Sequence, residues 1–136
     1  IPAAALRAAK GPTVWTHNPR IKAVGAAAPA LGFSFAPDGL KGVTQPVQLW
    51  QAEDDRVLPA PAYVEPVRGA LPTPPEFHFV PGAGHFDFLP PCRPEMLASA
   101  PMICVSAPDF DRAAFHDRFN AEVVRFFQQT LLSDAR

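Results

Sequence analysis

Apolar and polar positions along the chain fall into short runs separated by proline clusters. Val47-Gln48-Leu49-Trp50-Gln51-Ala52 sets bulky apolar residues against glutamines in near alternation, and Glu76-Phe77-His78-Phe79-Val80 repeats the pattern. Each predicts a strand. A third run, Ile21-Lys22-Ala23-Val24-Gly25-Ala26-Ala27-Ala28, lies between Asn18-Pro19 and Pro29 and predicts a buried strand, with small side chains that let helices come close. In chain order this run comes first, and between the second strand (Val47 to Ala52) and the third (Glu76 to Val80) a helix is expected over about Tyr63 to Ala70, entered through a proline-tolerant first turn. The clearest helix is the last. Phe115, Phe119, Val123, Phe126, Phe127 and Leu131 recur at three- and four-residue steps, with Asp109 or Asp111 able to cap the start and His116 expected on the polar side. Near the front, Pro2 to Lys10 reads as the tail of a helix stopped by Gly11-Pro12.

Proline fixes φ and lacks an N–H, so Leu58-Pro59-Ala60-Pro61, Leu71-Pro72-Thr73-Pro74-Pro75 and Leu89-Pro90-Pro91 are expected as connections rather than element interiors. Strands alternating with helical segments at this spacing imply an α/β fold with three parallel strands and flanking helices, formed by residues 1–136 as a single domain. Ligand chemistry in such sheets collects at the carboxyl ends of the strands.

Composition narrows the picture further. With 136 residues, 48% apolar and 18% charged, the chain can bury a core and does not suit disorder. A formal net charge of −1, spread without a basic stripe, gives no footing for nucleic acid or an anionic membrane, and no run is long and apolar enough to span one. The first residue is Ile1 rather than methionine, which suggests a piece of a longer sequence. Cys92 and Cys104 have no histidine at metal-ligand spacing, so a disulfide is favoured over two reduced structural thiols. A disulfide would favour a secreted or periplasmic home.

Two residues fall at the chemically active edge. Asp55 follows the second strand in Ala52-Glu53-Asp54-Asp55-Arg56, and His85 follows the third in Val80-Pro81-Gly82-Ala83-Gly84-His85. Adjacent strands lie about 4.8 Å apart, so side chains on their following loops can meet.

These two segments resemble the acid and histidine loops of the α/β-hydrolase family, and most closely its dienelactone-hydrolase-like members. The resemblance covers nearly the whole chain: Pro19 to Val24 looks like the sixth strand with its lead-in, and the last helix looks like the closing helix. It implies the carboxyl-terminal portion of an α/β-hydrolase fold, in which the triad comes in the order serine, acid, histidine. Asp55 would be the triad acid, since Pro59 lies four residues beyond it as in the family pattern, and His85 the catalytic base. Asp54 is the competing acid and is otherwise expected to face solvent or cap a turn. The resemblance further implies an ester or lactone as small-molecule substrate, no cofactor and no metal.

No G-x-S-x-G elbow occurs in the 136 residues, so the nucleophile is expected upstream of Ile1. The amino-terminal half of the same protein, or a swapped copy, would then be the partner, covering an open edge at the first strand. Alone the chain is expected to be inactive. Ser34, in Gly32-Phe33-Ser34-Phe35-Ala36, is followed by Pro37 where an elbow needs a helix, and is expected as a loop residue near the pocket mouth. His17, His78 and His116 lack the glycine-rich setting of His85 and are expected to be structural or solvent-facing. Asp87 is expected to cap the short helix after His85, with a competing role as acidic partner. Phe33, Phe35, Trp50, Phe86 and Phe88 are candidate pocket residues, although most belong to the core on their apolar character. Two further readings stay open: a binding module that keeps the half-fold without chemistry, and a peptidase or acyltransferase of the same superfamily.

Overall fold

The computed structural model describes residues 18–35 and 38–132; the expected amino-terminal helix and His17 lie outside them. Three strands, β1 (Val24–Ala27), β2 (Val47–Ala52) and β3 (Glu76–Val80), form one parallel sheet in the order β1-β2-β3. The last two have the bounds expected from their alternation. β1 is shorter than its apolar run because Asn18 closes a turn ahead of it: its side chain accepts from the Arg20 N–H and its carbonyl from the Ile21 N–H. That turn leaves Ile21 exposed. On its outer side β1 pairs with nothing among the described residues.

Alternation along β2 and β3 divides the side chains between two covering helices. Gln48, Trp50, Glu76, His78 and Val80 face α4 (Arg112–Leu132), where Trp50 meets Phe115 and Phe119 edge-on at 6.4 and 4.8 Å. On the opposite face Arg68 of α1 (Val64–Ala70) lies over the Phe77 ring at 4.0 Å. Trp50, Ala52, Val80, Ala83 and Phe115 make the core, with Phe88, Phe110, Phe119 and Val123 packed around it. Trp50 and Phe88 are therefore core residues. Phe33 and Phe35 stand exposed on the β1–β2 connection, and only Phe86 keeps its place beside the site.

Asp111 caps α4, its carboxylate accepting from the Ala114 N–H at 2.9 Å, and Asp109 has no such contact. One expectation for this helix is overturned. His116 is buried, donating from Nε2 to the Asp87 carbonyl at 2.9 Å. A seven-residue step returns a helix to within about 20° of its starting direction, so His116 shares the inward face of Val123. Leu131, expected inside, is exposed near the helix end.

A polar layer crosses the core near the amino ends of β2 and β3. Gln48, fully buried, donates to Glu76 Oε1 at 2.8 Å and the Glu122 carbonyl at 3.2 Å, and accepts from Trp50 Nε1 at 3.0 Å. His78 stacks on Trp50 with centroids 3.9 Å apart and donates to Glu76 at 2.7 Å. Burial alone would raise the Glu76 carboxyl, but hydrogen bonds from Gln48, His78 and Arg125, with the Arg125 charge, outweigh it and hold it below the ordinary carboxylate range. Glu76, His78 and Glu122 present ligand-type atoms within 4.8 Å of one another. Arg125 bonds both carboxylates and supplies the positive charge a cation would bring.

The segment between the histidine loop and the last helix carries two short helices. Pro94 and Pro101 each open a short helix, α2 (Pro94–Ser99) and α3 (Pro101–Cys104), at the first-turn position where a missing N–H costs nothing. A Cys92–Cys104 disulfide closes the segment, with Cα atoms 5.4 Å apart. Replacing both cysteines by serine is expected to lower stability by about 3 kcal/mol, the loop-closure value for a ring of this size, measured by urea unfolding. A second local constraint sits at Gly32: a Cβ there would lie 1.8 Å from the Tyr63 carbonyl oxygen, at the start of α1. Backbone cannot yield as a side-chain tip does, so Gly32→Ala is expected to lower the unfolding midpoint, at a cost of about 1–3 kcal/mol.

Candidate functional site

The carboxyl ends of β2 and β3 are stapled together before they diverge. The Glu53 N–H donates to the Val80 carbonyl at 3.1 Å, and the Asp54 N–H to the Ala83 carbonyl at 2.9 Å. The Glu53 carboxylate returns to accept from the Gly82 N–H at 2.9 Å. Within the histidine loop, the Ala83 N–H donates back to Val80, with Pro81 and Gly82 as the central residues of the turn and Gly82 at φ +70°. Proline followed by a residue with positive φ is the type II arrangement, and only glycine adopts it without strain.

Beyond the staple, the two side chains singled out in the sequence meet. His85 Nδ1 and Asp55 Oδ2 are 2.9 Å apart. A carboxylate can only accept, so Nδ1 carries a proton, and in the neutral ring Nε2 presents its lone pair. The other Asp55 oxygen, Oδ1, accepts from the Val57 and Leu58 N–H groups at 3.0 and 2.7 Å. The Asp55 side chain is 4% exposed and that of His85 21%, so the acid is enclosed while the imidazole reaches the surface. Nε2 has no hydrogen-bond partner among the described residues. This dyad can hold an imidazole in one tautomer and stabilise it once protonated.

Asp54, the competing acid, is exposed, and the carboxylate bonded to His85 is that of Asp55. Ser34 is occupied locally, its hydroxyl donating to the Leu31 carbonyl at 2.6 Å, and no bond joins it to His85 among the described residues.

Asp87 does more than cap. Its Oδ2 accepts from the Gly84 N–H at 2.7 Å, at the entry to the 3-10 turn His85–Phe88, as the spacing suggested. Its Oδ1 accepts from Ser106 Oγ at 2.5 Å and Arg112 Nε at 2.9 Å. Arg112 in turn donates from its terminal nitrogen to the Ile103 carbonyl at 3.0 Å. The Asp87 and Arg112 side chains are only 4% and 7% exposed. With the His116 bond to the Asp87 carbonyl, this buried pair joins the histidine turn, the disulfide-bonded segment and the first turn of α4. Sequence reading missed Arg112 because an arginine at a helix start reads as solvated. Its position three residues before Phe115 and seven before Phe119, on their face, was the available signal.

Beside His85 opens a cavity of about 200 Å³, walled by the acid loop at Arg56 and Val57, by Phe86, and by Met102 and Val105 of the disulfide-bonded segment. None of the helices among the described residues is long and apolar enough to cross a membrane. No family model matches the chain, and neither curated proteins nor solved structures yield a match.

Proposed function

We propose that this chain supplies the acid and the base of a Ser-His-Asp triad in an α/β-hydrolase acting on an ester or lactone, with the nucleophile carried by a segment outside these 136 residues. One observation carries the reading: the 2.9 Å bond between His85 Nδ1 and an enclosed Asp55 whose second oxygen is fixed by two backbone amides. The pair sits at the carboxyl edge of parallel strands, where such folds collect their chemistry. Among the described residues the outer side of β1 is unpaired, which suits the addition of a further strand.

In this reaction His85 Nε2 takes the serine hydroxyl proton as the oxygen attacks the carbonyl carbon. It then gives that proton to the departing alkoxide, and water repeats the sequence to release the acid. Asp55 stays ionised throughout and stabilises the imidazolium. Backbone amides outside this chain would hold the oxyanion, each worth about 3–4 kcal/mol. A binding module does not require the bond between Asp55 and His85, whereas the hydrolase reading does, and separation of the two would have favoured the module. Peptidase and acyltransferase chemistry would use the same pair.

Fluorophosphonate labelling tests the proposal. The 136-residue chain is expected to remain unlabelled. A product carrying these residues with their upstream segment is expected to label at one serine, and to lose labelling on His85→Gln. Labelling of the 136-residue chain, or labelling of the longer product that survives His85→Gln, would overturn it.

A further inference from the structure

The cavity beside His85 has properties the dyad does not require. Met102 is 81% exposed and Val105 64%, although both lie on a segment pinned by the Cys92–Cys104 disulfide and by the Arg112 bond to Ile103. Between them, Ile103 and Cys104 turn inward, so the segment holds two apolar side chains outward at the cavity wall. Val57, half exposed, and Phe86 face them from the acid and histidine loops. Exposed apolar residues gathered round a concavity mark a binding surface more often than scattered ones do.

Charge at this cavity is balanced. Asp54 and Arg56 flank Asp55 in sequence, are both exposed, and place one charge of each sign at the mouth. The Asp87 carboxylate is satisfied by Arg112, Ser106 and Gly84, and that of Asp55 by His85, Val57 and Leu58. The groups that line the cavity therefore sum to no net charge, Asp54 against Arg56 and Asp87 against Arg112, while Asp55 lies enclosed behind His85 and outside the lining. An enclosed cavity of about 150 Å³ admits benzene, so this open concavity of about 200 Å³ has room for one ring or a short branched chain.

We propose that this cavity is the subsite for an uncharged, ring-sized apolar group of the substrate, with Met102 and Val105 setting the size it accepts. The substrate class is thus a neutral ester or lactone with one compact apolar substituent. This assignment rests on the hydrolase reading for its biological meaning, but the binding itself needs no nucleophile.

The test is a titration of the full chain with benzyl alcohol at neutral pH, followed by amide NMR, alongside benzoate and benzylamine as charged analogues of similar size. Benzyl alcohol is expected to shift the amides of Phe86, Val105 and Ser106. Both charged analogues are expected to bind about tenfold more weakly, a modest figure for desolvating a charge without a partner. Val105→Trp, at a position exposed enough to spare the core, is expected to abolish the shifts, whereas Lys41→Gln, exposed on the β1–β2 connection and outside the cavity wall, is expected to leave benzyl alcohol binding unchanged. Equal or tighter binding of benzoate or benzylamine would overturn the proposal, as would shifts located elsewhere or unaffected by Val105→Trp. A longer product, unmutated, that takes no fluorophosphonate label would instead strike the hydrolase reading, so the two failures are separable.

Discussion

Asp55→Asn, introduced into a product that carries the nucleophile, is expected to lower kcat by about four orders of magnitude while leaving KM nearly unchanged. Asparagine keeps the shape of the carboxylate, and its oxygen can still accept from the Val57 and Leu58 amides. Its NH₂ then faces His85 Nδ1 and donates to it. The imidazole proton must move to Nε2, where the lone pair needed for proton abstraction is lost. The effect is one of tautomer rather than of fold, so the thermal unfolding midpoint should move little. Nitrogen-15 shifts of the His85 ring provide the direct check: Nδ1 protonated in the parent, Nε2 protonated in the variant. A fall in kcat of less than about tenfold would mean that Asp55 does not set the protonation of the base.

The second large effect is expected at the Asp87–Arg112 pair. Removing one partner, as in Asp87→Ala or Arg112→Met, leaves a buried charge without its counterpart and should cost about 3–5 kcal/mol. Removing both should cost less than the sum of the two, and the shortfall measured by urea unfolding gives their coupling. The single variants are also expected to broaden the His85 ring signals, because Asp87 holds the Gly84 amide at the entry to the histidine turn. Additive single and double effects would mean that the two side chains act independently.

Much of this architecture was legible from residue pattern. β2 and β3 could be bounded because bulky alternation stops abruptly, at Pro46 and the acidic Glu53-Asp54-Asp55 for one and at Pro75 and Pro81 for the other, and period-two patterns tolerate little displacement. Asp55 and His85 could be paired because each closes a strand and parallel neighbours bring those ends together. β1 was overextended for the complementary reason: alanines and glycine carry no alternation, so only the Asn18 turn marks where pairing begins. His116 was assigned to the wrong side because polarity was read residue by residue, without following the seven-residue return to Val123. The Asp87–Arg112–Ser106 cluster joins residues 19 and 25 positions from Asp87. Neither helical nor strand periodicity carries information at that distance, and only packing brings the three together.

The sheet register gives the dyad an unusual sensitivity to chain length. Along β2 and β3 each residue pairs with the one 28 positions later, from Gln48 with Glu76 to Ala52 with Val80. Asp55 and His85 are 30 positions apart, so the histidine loop must absorb two more residues than the acid loop before the side chains meet. The Pro81-Gly82 turn takes up that surplus by folding the chain back on Val80. A one-residue insertion or deletion between Val80 and His85 would leave the ladder intact yet rotate the imidazole off its carboxylate. Length in this short stretch is thus constrained as tightly as residue identity, whereas the β1–β2 connection has no comparable pairing to keep.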